Sequence, residues 1–395
     1  RVVKLVDTHG SGPCALTGML VRVQSRALFN KMNILLLESY FTGSHKQWAE
    51  GYAKNSRHDV RIICLKGQFW KWRMHGGAVT LARKFNAMDW RPDLILATDM
   101  LDLTSFLALT KNKFHGIPTA IYFHENQISY PWSPTDRDIQ NKRDSHYGFI
   151  NFTSALAADT VFFNSEFHMD SFLQALPPFL RQFPDHQELD AVDLIQAKSR
   201  LLHLGLDLQK FDVHKTSHGN TPLILWNHRW EYDKNPDSFF SVLRKVKEDG
   251  FDFQLAVLGE NFSQFPEIFL EAEKLFESQI VQWGFSDSFA DYAHWLWKAD
   301  IIPVTSNQEF FGASVMEAMY CDTWPLLPNR LTYPELLSPD QHGEHLYENE
   351  DDLKRKLIEA IQNIDQVRAT HFHPIAKPFD WESMVKMYDN AMEQV

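Results

Sequence analysis

The sequence predicts an α/β protein built from two Rossmann-like, doubly wound domains with a cleft between them. From residue 33 onward, short continuous apolar runs alternate with helical segments, which is typical of parallel strands buried between helices. A chain of 395 residues is long for a single core and suits two domains of ordinary size. Polar residues follow directly after the apolar runs. Because ligands of such sheets bind at the carboxyl ends of the strands, these polar residues are the first candidates for function.

Residues 1–31 do not continue this pattern. They hold five Lys or Arg and one acidic residue, which gives a net charge of +4, and they lack the apolar core of a signal peptide. The phrases Val3–Thr8 and Val21–Arg26 resemble the translation of a transfer-RNA gene. We therefore predict that residues 1–31 are a non-native or disordered extension and that Met32 is the biological start. A genuine flexible arm is the alternative.

Residues 32–203 are predicted to form the first domain. Its strands are predicted at 34–38, 60–65, 93–98, 118–123 and 158–163, and its helices at 46–55, 77–88 and 103–109. The polar candidates just past its strand ends are Gly43, Ser44, His45, Asp99, His124, Glu125, Asn126 and Gln127.

Residues 204–375 are predicted to form the second domain, which the chain enters through 204–207. Its strands are predicted at 223–227, 253–259, 280–284, 300–305 and 324–327, and its helices at 236–249, 267–278, 288–298 and 351–364. A last helix within 376–395 is predicted to pack back on the first domain.

Two carboxylates, Glu309 and Glu317, stand eight positions apart around a turn at Gly312 that opens a helix. A helix start presents unpaired N–H groups and positive partial charge, which suits a phosphate. Glu317 can accept two hydrogen bonds from a diol such as a ribose, and Glu309 on the loop can reach sugar hydroxyls. The alternative is an ordinary acidic capping feature.

Arg229 and Lys234 follow the first strand of the second domain and precede a helix. Two cations in this position are placed to neutralise a diphosphate. A solvated pair on a loop is the alternative.

The segment Lys66–Arg73 interleaves cations with aromatic residues, and residues 66–91 hold six Lys or Arg against Asp89 alone, a net charge of +5. Phosphate pairing and base stacking on a single-stranded RNA loop need this combination. The candidates are Lys66, Lys71, Trp72 and Arg73. An ordinary helix face with buried tryptophans is the alternative.

These elements, in this order, resemble the GT-B glycosyltransferases of family 4, and the match runs over most of residues 33–395. The resemblance implies a retaining transfer of a sugar from a nucleotide donor. It implies donor contacts at Gly43, Arg229, Lys234, Phe310, Phe311, Gly312 and Glu317, and catalytic roles at His124 and Glu309. One departure is the sequence Thr42-Gly43-Ser44, where the family often has paired glycines.

A narrower resemblance concerns the segments 33–45, 72–77 and 123–127, which are similar to those of the tRNA-queuosine α-mannosyltransferases. It implies GDP-mannose as the donor and queuosine in a tRNA anticodon loop as the acceptor, held by the first domain. Asn126 and Gln127 join the basic and aromatic residues as candidates for tRNA contact. A lipid, glycan or small-molecule acceptor, or a non-catalytic tRNA-binding protein, remains the alternative.

The charge distribution limits how a polyanion approaches. The net charge is −12, and residues 201–395 hold 16 basic and 32 acidic residues, which gives −16. General attraction to nucleic acid is therefore unexpected, and RNA should approach the N-terminal half.

Metal, membrane and disulfide chemistry are not predicted. The cysteines Cys14, Cys64 and Cys321 are far apart, and no apolar run reaches membrane-spanning length. No Asp-x-Asp follows a strand, and the histidine pairs 371/373 and 342/345 lie in polar, turn-like segments. We expect a cytoplasmic enzyme that needs no cofactor besides its nucleotide-sugar donor.

Overall fold

The computed structural model describes residues 31–132, 145–259 and 265–395. The predicted extension over residues 1–31 lies, except for Lys31, outside the described residues. Met32–Val395 belong to one unit. Two parallel sheets organise this unit, which confirms the predicted α/β architecture.

The first sheet comprises six parallel strands in the described part of the chain. They are β1 (Asn33–Phe41), β2 (Asp59–Lys66), β3 (Leu94–Thr98), β4 (Thr119–Phe123), β5 (Thr160–Phe163) and β6 (Ser199–Leu201). Their order in the sheet is β2-β1-β3-β4-β5-β6. The side chains of residues 34–37 are fully buried, because helices cover both faces of the sheet.

Helices connect these strands. They are α1 (Gly43–Asn55), α2 (Trp70–Ala87), α3 (Leu103–Phe114), α4 (Ser145–Ala157), α5 (Glu166–Leu180) and α6 (Ala191–Lys198). Side-chain caps fix two of the helix starts. Asp102 accepts the backbone N–H of Ser105 at 2.9 Å, and Ser165 accepts that of His168 at 3.0 Å.

The second sheet repeats this arrangement. Its strands are β7 (Leu223–Trp226), β8 (Gln254–Val257), β9 (Ile280–Trp283), β10 (Ile301–Pro303), β11 (Trp324–Pro328) and β12 (Leu346–Tyr347), in the order β12-β11-β10-β7-β8-β9. Its helices are α7 (Pro236–Glu248), α8 (Ile268–Leu275), α9 (Phe289–Lys298), α10 (Ala313–Tyr320), α11 (His342–His345), α12 (Glu350–Gln362), α13 (Ile364–Ala369) and α14 (His373–Ala376). Short 3₁₀ turns lie at Gln209–His214, Tyr232–Lys234, Tyr333–Leu336, Pro339–Gln341 and Lys377–Phe379.

Helix α2 begins at Trp70, so the predicted start at Gly77 was wrong. Because glycine is unfavourable in a helix interior, the adjacent Gly76 and Gly77 favour a prediction that places them at the start of the helix. In the structure they allow close packing instead. A Cβ on Gly77 would lie 3.1 Å from the Cβ of Ser39 in β1, and the Trp72 ring lies against Gly76. The first turn of α2 therefore contains Lys71, Trp72 and Arg73.

The last helix, α15 (Trp381–Met392), crosses back to the first half and packs on α1. The Trp48 indole N–H donates to the Tyr388 hydroxyl at 2.9 Å. The Trp381 ring lies against Gly51 and Gly205, where a Cβ on either glycine would collide with it. The chain therefore ends by joining the two halves.

The carboxyl edges of the two sheets contact each other. Tyr130, after β4, donates to Asp233, after β7, at 3.3 Å, and Ser165, after β5, donates to the carbonyl of Phe310, after β10, at 2.6 Å. The polar loops of both halves therefore border the same gap. None of the helices within the described ranges is long and apolar enough to cross a membrane.

Candidate active site

The loops after β7 and β10 meet where the strand order of the second sheet reverses. β7 and β10 are neighbours, although the chain continues from them to opposite edges of the sheet. The backbone N–H of Asn307 donates to the carbonyl of Asp233 at 2.7 Å, which ties the two loops together. Doubly wound sheets bind ligands at this reversal. The Arg229–Lys234 element and the Glu309–Glu317 element therefore lie side by side.

Lys234 makes the contact between these two elements. Its Nζ donates to the Gln308 carbonyl at 2.9 Å, and it lies 3.3 Å from a Glu309 oxygen and 3.1 Å from an Asp233 oxygen. Burial alone would lower the pKa of this ammonium, but Glu309 and Asp233 raise it above its ordinary value. The site therefore holds a buried, permanent cation.

Glu309 is the ionised partner of this cation. Burial favours its neutral form, but Lys234 and backbone N–H groups lower the pKa of the carboxyl below its ordinary value. Its Oε1 accepts the N–H of Phe310 at 3.1 Å and that of Phe311 at 3.3 Å. The carboxylate thus fixes the turn that leads into α10.

Gly312 makes this turn possible. Its φ of +89° lies in the left-handed region, which side-chain-bearing residues avoid. Its carbonyl accepts the N–H groups of Val315 and Met316, each at 3.0 Å, and so begins α10. The positive end of this helix consequently points to the gap where the loops meet.

Glu317 lies one turn into α10 and is held by a tyrosine. The Tyr292 hydroxyl donates to its Oε2 at 2.7 Å. Burial raises the pKa of the Glu317 carboxyl above its ordinary value. Asn227, after β7, donates to the carbonyl of Ser314 at 2.8 Å and keeps α10 against the end of β7.

Arg229 is the exposed cation of the site. Its guanidinium lies 3.2 Å from a Glu231 carboxylate oxygen, and its side chain is 49% exposed. It can therefore move to a ligand at smaller cost than the buried Lys234.

The two phenylalanines of the loop have buried rings. The Phe310 ring stacks on His168 of the first half at 3.9 Å between centroids, and the Phe311 ring lies 5.7 Å from that of Phe379. Both residues are at most 4% exposed. The Phe310 ring thus joins the two halves, and both rings are enclosed by protein, so a ligand would meet the backbone groups of these residues.

His124 follows β4 and lies at the edge of the first sheet. Its backbone N–H donates to Asp99 at 2.8 Å. Its ring packs on His45, with 4.2 Å between centroids, and on the edge of Trp48, at 4.7 Å. Burial lowers the pKa of His124 well below its ordinary value, and the neighbouring His45 adds to this effect. The imidazole is therefore neutral.

Gly43 begins α1, after β1 of the same sheet, in the left-handed region with a φ of +50°. A Cβ at this position would meet no atom within 4 Å. Backbone conformation, and not lack of space, is therefore what favours glycine here.

Several buried polar atoms at these strand ends have no hydrogen-bond partner. They are Nε2 of His124, Oδ1 of Asn227, Nε2 of His228 and Nε2 of Gln308. Buried polar groups in folded proteins are nearly always paired, because an unpaired group loses its hydration without compensation. Their concentration where the loops of both sheets meet indicates a site that is completed by a polar ligand.

Comparison with known proteins assigns the chain to a family. A profile described as tRNA-queuosine alpha-mannosyltransferase N-terminal matches residues 33–206, and one described as glycosyl transferases group 1 matches residues 209–370. A tRNA-queuosine alpha-mannosyltransferase of Drosophila melanogaster is 32% identical over 337 residues, which cover 83% of this chain and 86% of the fly protein. The chain belongs to the tRNA-queuosine alpha-mannosyltransferase family.

Solved structures identify the fold. HepE of Anabaena in complex with UDP is 15% identical, has a TM-score of 0.64 and covers 92% of this chain and 100% of its own. Sucrose-phosphate synthase from Thermosynechococcus elongatus is 14% identical, has a TM-score of 0.65 and covers 92% of this chain and 98% of its own. This member of the mannosyltransferase family has the GT-B fold and is a glycosyltransferase. The predicted family, fold and enzyme class are confirmed.

The basic and aromatic segment of this family member runs from the end of β2 into the first turn of α2. Phe69 is 75% exposed and Trp72 is 63% exposed. The Arg73 guanidinium donates to the Lys66 carbonyl at 3.0 Å, and the Lys71 ammonium lies 5.5 Å from the centroids of the Trp70 and Trp132 rings. The segment therefore presents aromatic surface and positive charge together.

Asn126 and Gln127 are already engaged by their own loop. Oδ1 of Asn126 accepts the N–H groups of Ile128 and Ser129, at 3.1 and 2.8 Å. The Gln127 amide donates to Glu125 at 3.0 Å. Asn126 shapes the turn after β4, so its side chain has little capacity left for a ligand.

One group of possible metal ligands occurs among the described residues. Ligand atoms of Glu38, His45 and His124 all lie within 4.8 Å of one another. However, Nδ1 of His45 lies 3.1 Å from Oε2 of Glu38, which is the geometry of an ion pair. A metal ion would have to displace this contact.

Sequence reasoning missed Glu38 and Tyr292 as parts of the site. Glu38 was predicted as the last residue of the first strand, but β1 continues to Phe41 and buries the carboxylate completely. A charged residue directly after an apolar run was the available signal. Tyr292 lies in α9, and its distance in sequence from Glu317 gave no signal.

Proposed function

We propose that this protein transfers mannose from GDP-mannose to queuosine in the anticodon loop of tRNA, with retention of the anomeric configuration. Family membership supports the acceptor and the sugar, because the fly relative is a tRNA-queuosine alpha-mannosyltransferase. The observation that carries the donor site is the buried Lys234 between the loops after β7 and β10. The structure of HepE in complex with UDP supports a nucleotide-linked donor for this fold.

The donor diphosphate would lie between Arg229, Lys234 and the start of α10. Cleavage of the sugar–phosphate bond builds negative charge on the leaving diphosphate. Fixed cations and helix-start N–H groups stabilise this charge without having to reorient during the reaction. Glu317 would accept hydrogen bonds from the ribose hydroxyls. No metal ion is assigned to this step, since the two cations can supply the charge.

The transferred sugar would lie between Glu309 and His124. Glu309, together with the backbone at Phe310, Phe311 and Gly312, would bind the sugar hydroxyls. In a same-face reaction the bond from the sugar to the phosphate breaks, the bond to the acceptor oxygen forms, and the departing phosphate oxygen takes the acceptor proton. A neutral His124 would position the sugar and would not need to remove this proton.

The tRNA would approach the first half of the protein. Phe69 and Trp72 offer faces for base stacking, and Lys66, Lys71 and Arg73 offer charge to the phosphates. Gln127 and the turn shaped by Asn126 would lie beside the acceptor base. A tRNA substrate also leads us to expect the protein in the cytoplasm.

The deciding experiment is incubation with single nucleotide sugars and queuosine-bearing tRNA, followed by mass analysis of the tRNA nucleosides. We expect a hexose added to queuosine with GDP-mannose, and none with UDP-glucose. Transfer-RNA of the same sequence that carries guanosine in place of queuosine is the matched control. Transfer of a hexose to the control tRNA would contradict the proposal. So would the absence of transfer to either tRNA with every donor tested. Donor binding without transfer would favour a different acceptor, and tRNA binding without donor binding would favour a non-catalytic protein.

A further inference from the structure

Glu38, His45 and Asp99 form a buried cluster of ionisable residues around His124. The proposed reaction assigns a role to His124 and none to these three residues. Glu38 lies in β1, His45 in the first turn of α1, and Asp99 directly after β3. His124 follows β4, and β1, β3 and β4 are neighbours in the first sheet, which brings the groups to one place. Glu38 and Asp99 are at most 1% exposed.

The Glu38 carboxylate is fully used within this cluster. One oxygen accepts the backbone N–H of Tyr40 at 2.7 Å, and the other lies 3.1 Å from Nδ1 of His45. A buried carboxylate needs a cation or several donors to stay ionised. His45 is the side chain that meets this need.

His45 in turn lies against His124. The two rings are 4.2 Å apart between centroids, with 38° between their planes. Trp48 and Tyr122 confine the His124 ring on other sides, at 4.7 and 4.9 Å. Nε2 of His124 is left without a partner although it is buried.

We propose that His45 is a positioning residue that, as a cation anchored by Glu38, keeps the neighbouring His124 imidazole neutral and leaves its Nε2 free to hydrogen-bond the substrate. Two imidazolium ions at this separation in a buried site would repel each other strongly. Only one of the pair can carry the proton, and the contact with Glu38 gives it to His45. The role of His124 toward substrate rests on the proposed function, whereas the charge state of the pair does not.

The charges around the pair agree with this assignment. Burial alone would lower the pKa of His45, but Glu38, and then Asp99 and Glu125, raise it to about 9. Burial, followed by His45 and His168, lowers the pKa of His124. Burial raises the pKa of Asp99 to about 8 and also raises that of Glu125, against the effect of His45.

A neutral His124 suits the chemistry of the sugar. Positive charge develops on the transferred sugar as its bond to phosphate breaks. An imidazolium beside it would oppose that charge, whereas a neutral imidazole offers a hydrogen bond without net charge. Glu38 and His45 together add no net charge to the site.

The first test needs no substrate. The protein is labelled with ¹⁵N-histidine, its ring nitrogens are followed by NMR from pH 5.5 to 10, and the variants His45→Gln and His124→Gln assign the signals. We expect His45 to titrate near pH 9 and His124 to stay neutral throughout. Glu38→Gln should lower the midpoint of His45 by two or more pH units, whereas His186→Gln, at an exposed histidine, should leave both signals unchanged. Titration of wild-type His45 at or below about pH 6.5, the ordinary value, would overturn the proposal. The proposal would also be overturned if the protein bound a stoichiometric metal ion and if its removal by a chelator shifted the signals of both His45 and His124.

The second test measures transfer to queuosine-bearing tRNA. We expect His45→Gln to lower kcat tenfold or more with little change in the KM for tRNA, and His45→Lys to recover part of kcat. If kcat fell equally in His45→Gln and His45→Lys, and in proportion to the loss of thermal stability of each variant, the effect would come from packing alone. That result would overturn the proposal. Absence of transfer by the wild-type protein would count against the proposed function, and the NMR result would still decide the charge state.

Discussion

Replacing Lys234 with alanine tests the core of the proposed donor site. The lysine ammonium is the buried cation at the strand-order reversal, and it contacts Gln308, Glu309 and Asp233 within 3.3 Å. Loss of one preorganised group that stabilises transition-state charge costs roughly 10²–10³ in kcat, or about 2.7–4 kcal/mol. We therefore expect Lys234→Ala to lower kcat at least a hundredfold in the tRNA mannosylation assay.

The same substitution also affects folding, and the assay must separate the two effects. Removing the ammonium leaves the carboxylates of Glu309 and Asp233 buried without their cation, and breaking a buried pair costs about 3–5 kcal/mol. We expect a lower Tm, so kinetics should be measured well below the unfolding transition. Lys245→Ala is the control, because this lysine lies in the last turn of α7 and pairs with Glu350 at 3.2 Å.

The outcome that would refute the donor site is specific. If folded Lys234→Ala and folded Glu317→Ala both kept the kcat and KM of the wild-type protein, neither residue could bind the donor. A loss of activity in Lys245→Ala equal to that in Lys234→Ala would attribute the effect to general destabilisation. Isothermal titration calorimetry with GDP provides a further measurement, because weaker GDP binding is expected for Lys234→Ala and Glu317→Ala and not for Lys245→Ala.

Three further predictions address the nucleoside, the RNA and the fold. Glu317→Ala should weaken GDP binding by roughly tenfold, about 1.4 kcal/mol, with a smaller effect on kcat. Tyr292→Phe should show part of this loss of affinity when GDP binding is measured by isothermal titration calorimetry. Unchanged GDP affinity in these variants would contradict the ribose contact. Trp72→Ala combined with Phe69→Ala should raise the KM for tRNA tenfold or more, since stacking contributes about 1–3 kcal/mol per base, whereas Leu194→Ala, at another exposed apolar residue, should not. Asp300→Asn should lower the free energy of unfolding by about 3–5 kcal/mol, because Asp300 holds Arg368 at 2.7 Å and the N–H of Leu223 at 2.8 Å. Burial raises the pKa of Asp300, but His218 and Arg368 lower it below its ordinary value. Its contribution to stability is therefore present above about pH 4 and is lost as the pH falls further. In urea unfolding, the difference in free energy of unfolding between the wild type and Asp300→Asn should be smaller at pH 3 than at pH 7.

The fold and the placement of the Arg229–Lys234 and Glu309–Glu317 elements after strands of the second sheet could be predicted because their signals are local. Each strand is a continuous apolar run, and each candidate follows such a run directly. Parallel strands place their carboxyl ends on one edge, so Arg229, Lys234 and Glu309 had to lie on the same side of the sheet. The contact between Lys234 and Glu309 additionally requires β7 and β10 to be neighbours, which the apolar pattern alone does not determine.

What could not be predicted depends on contacts between distant residues. The burial of Glu38 follows from the continuation of β1 to Phe41, past a register shift relative to β2. Helix α2 runs through Gly76 and Gly77, and Gly77 packs on Ser39 of β1, which is distant in sequence. The stacking of Phe310 on His168 arises only when the two halves meet. None of these contacts leaves a periodic pattern in the sequence.

The contact of Phe310 links donor binding to the arrangement of the two halves. On one side, Glu309 binds Lys234 and accepts the N–H of Phe310. On the other side, the Phe310 carbonyl accepts the hydroxyl of Ser165, which also caps α5. The cap of α5 is completed by Glu335, of the second half, which accepts two backbone N–H groups at 2.9 and 2.6 Å.

A shift of this loop therefore cannot leave the first half unaffected. If the diphosphate draws Lys234 away from Glu309, the carboxylate loses its strongest partner and the turn at Phe310 is free to adjust. That adjustment acts on Ser165 and His168, and so on the position of α5 relative to the second sheet. The Asn164 amide, next to Ser165, donates to the carbonyl of His124 at 3.0 Å, so these contacts extend to the residue that we propose to lie beside the sugar. Under the proposed function, donor binding and the alignment of the acceptor side would therefore be coupled through these adjacent residues.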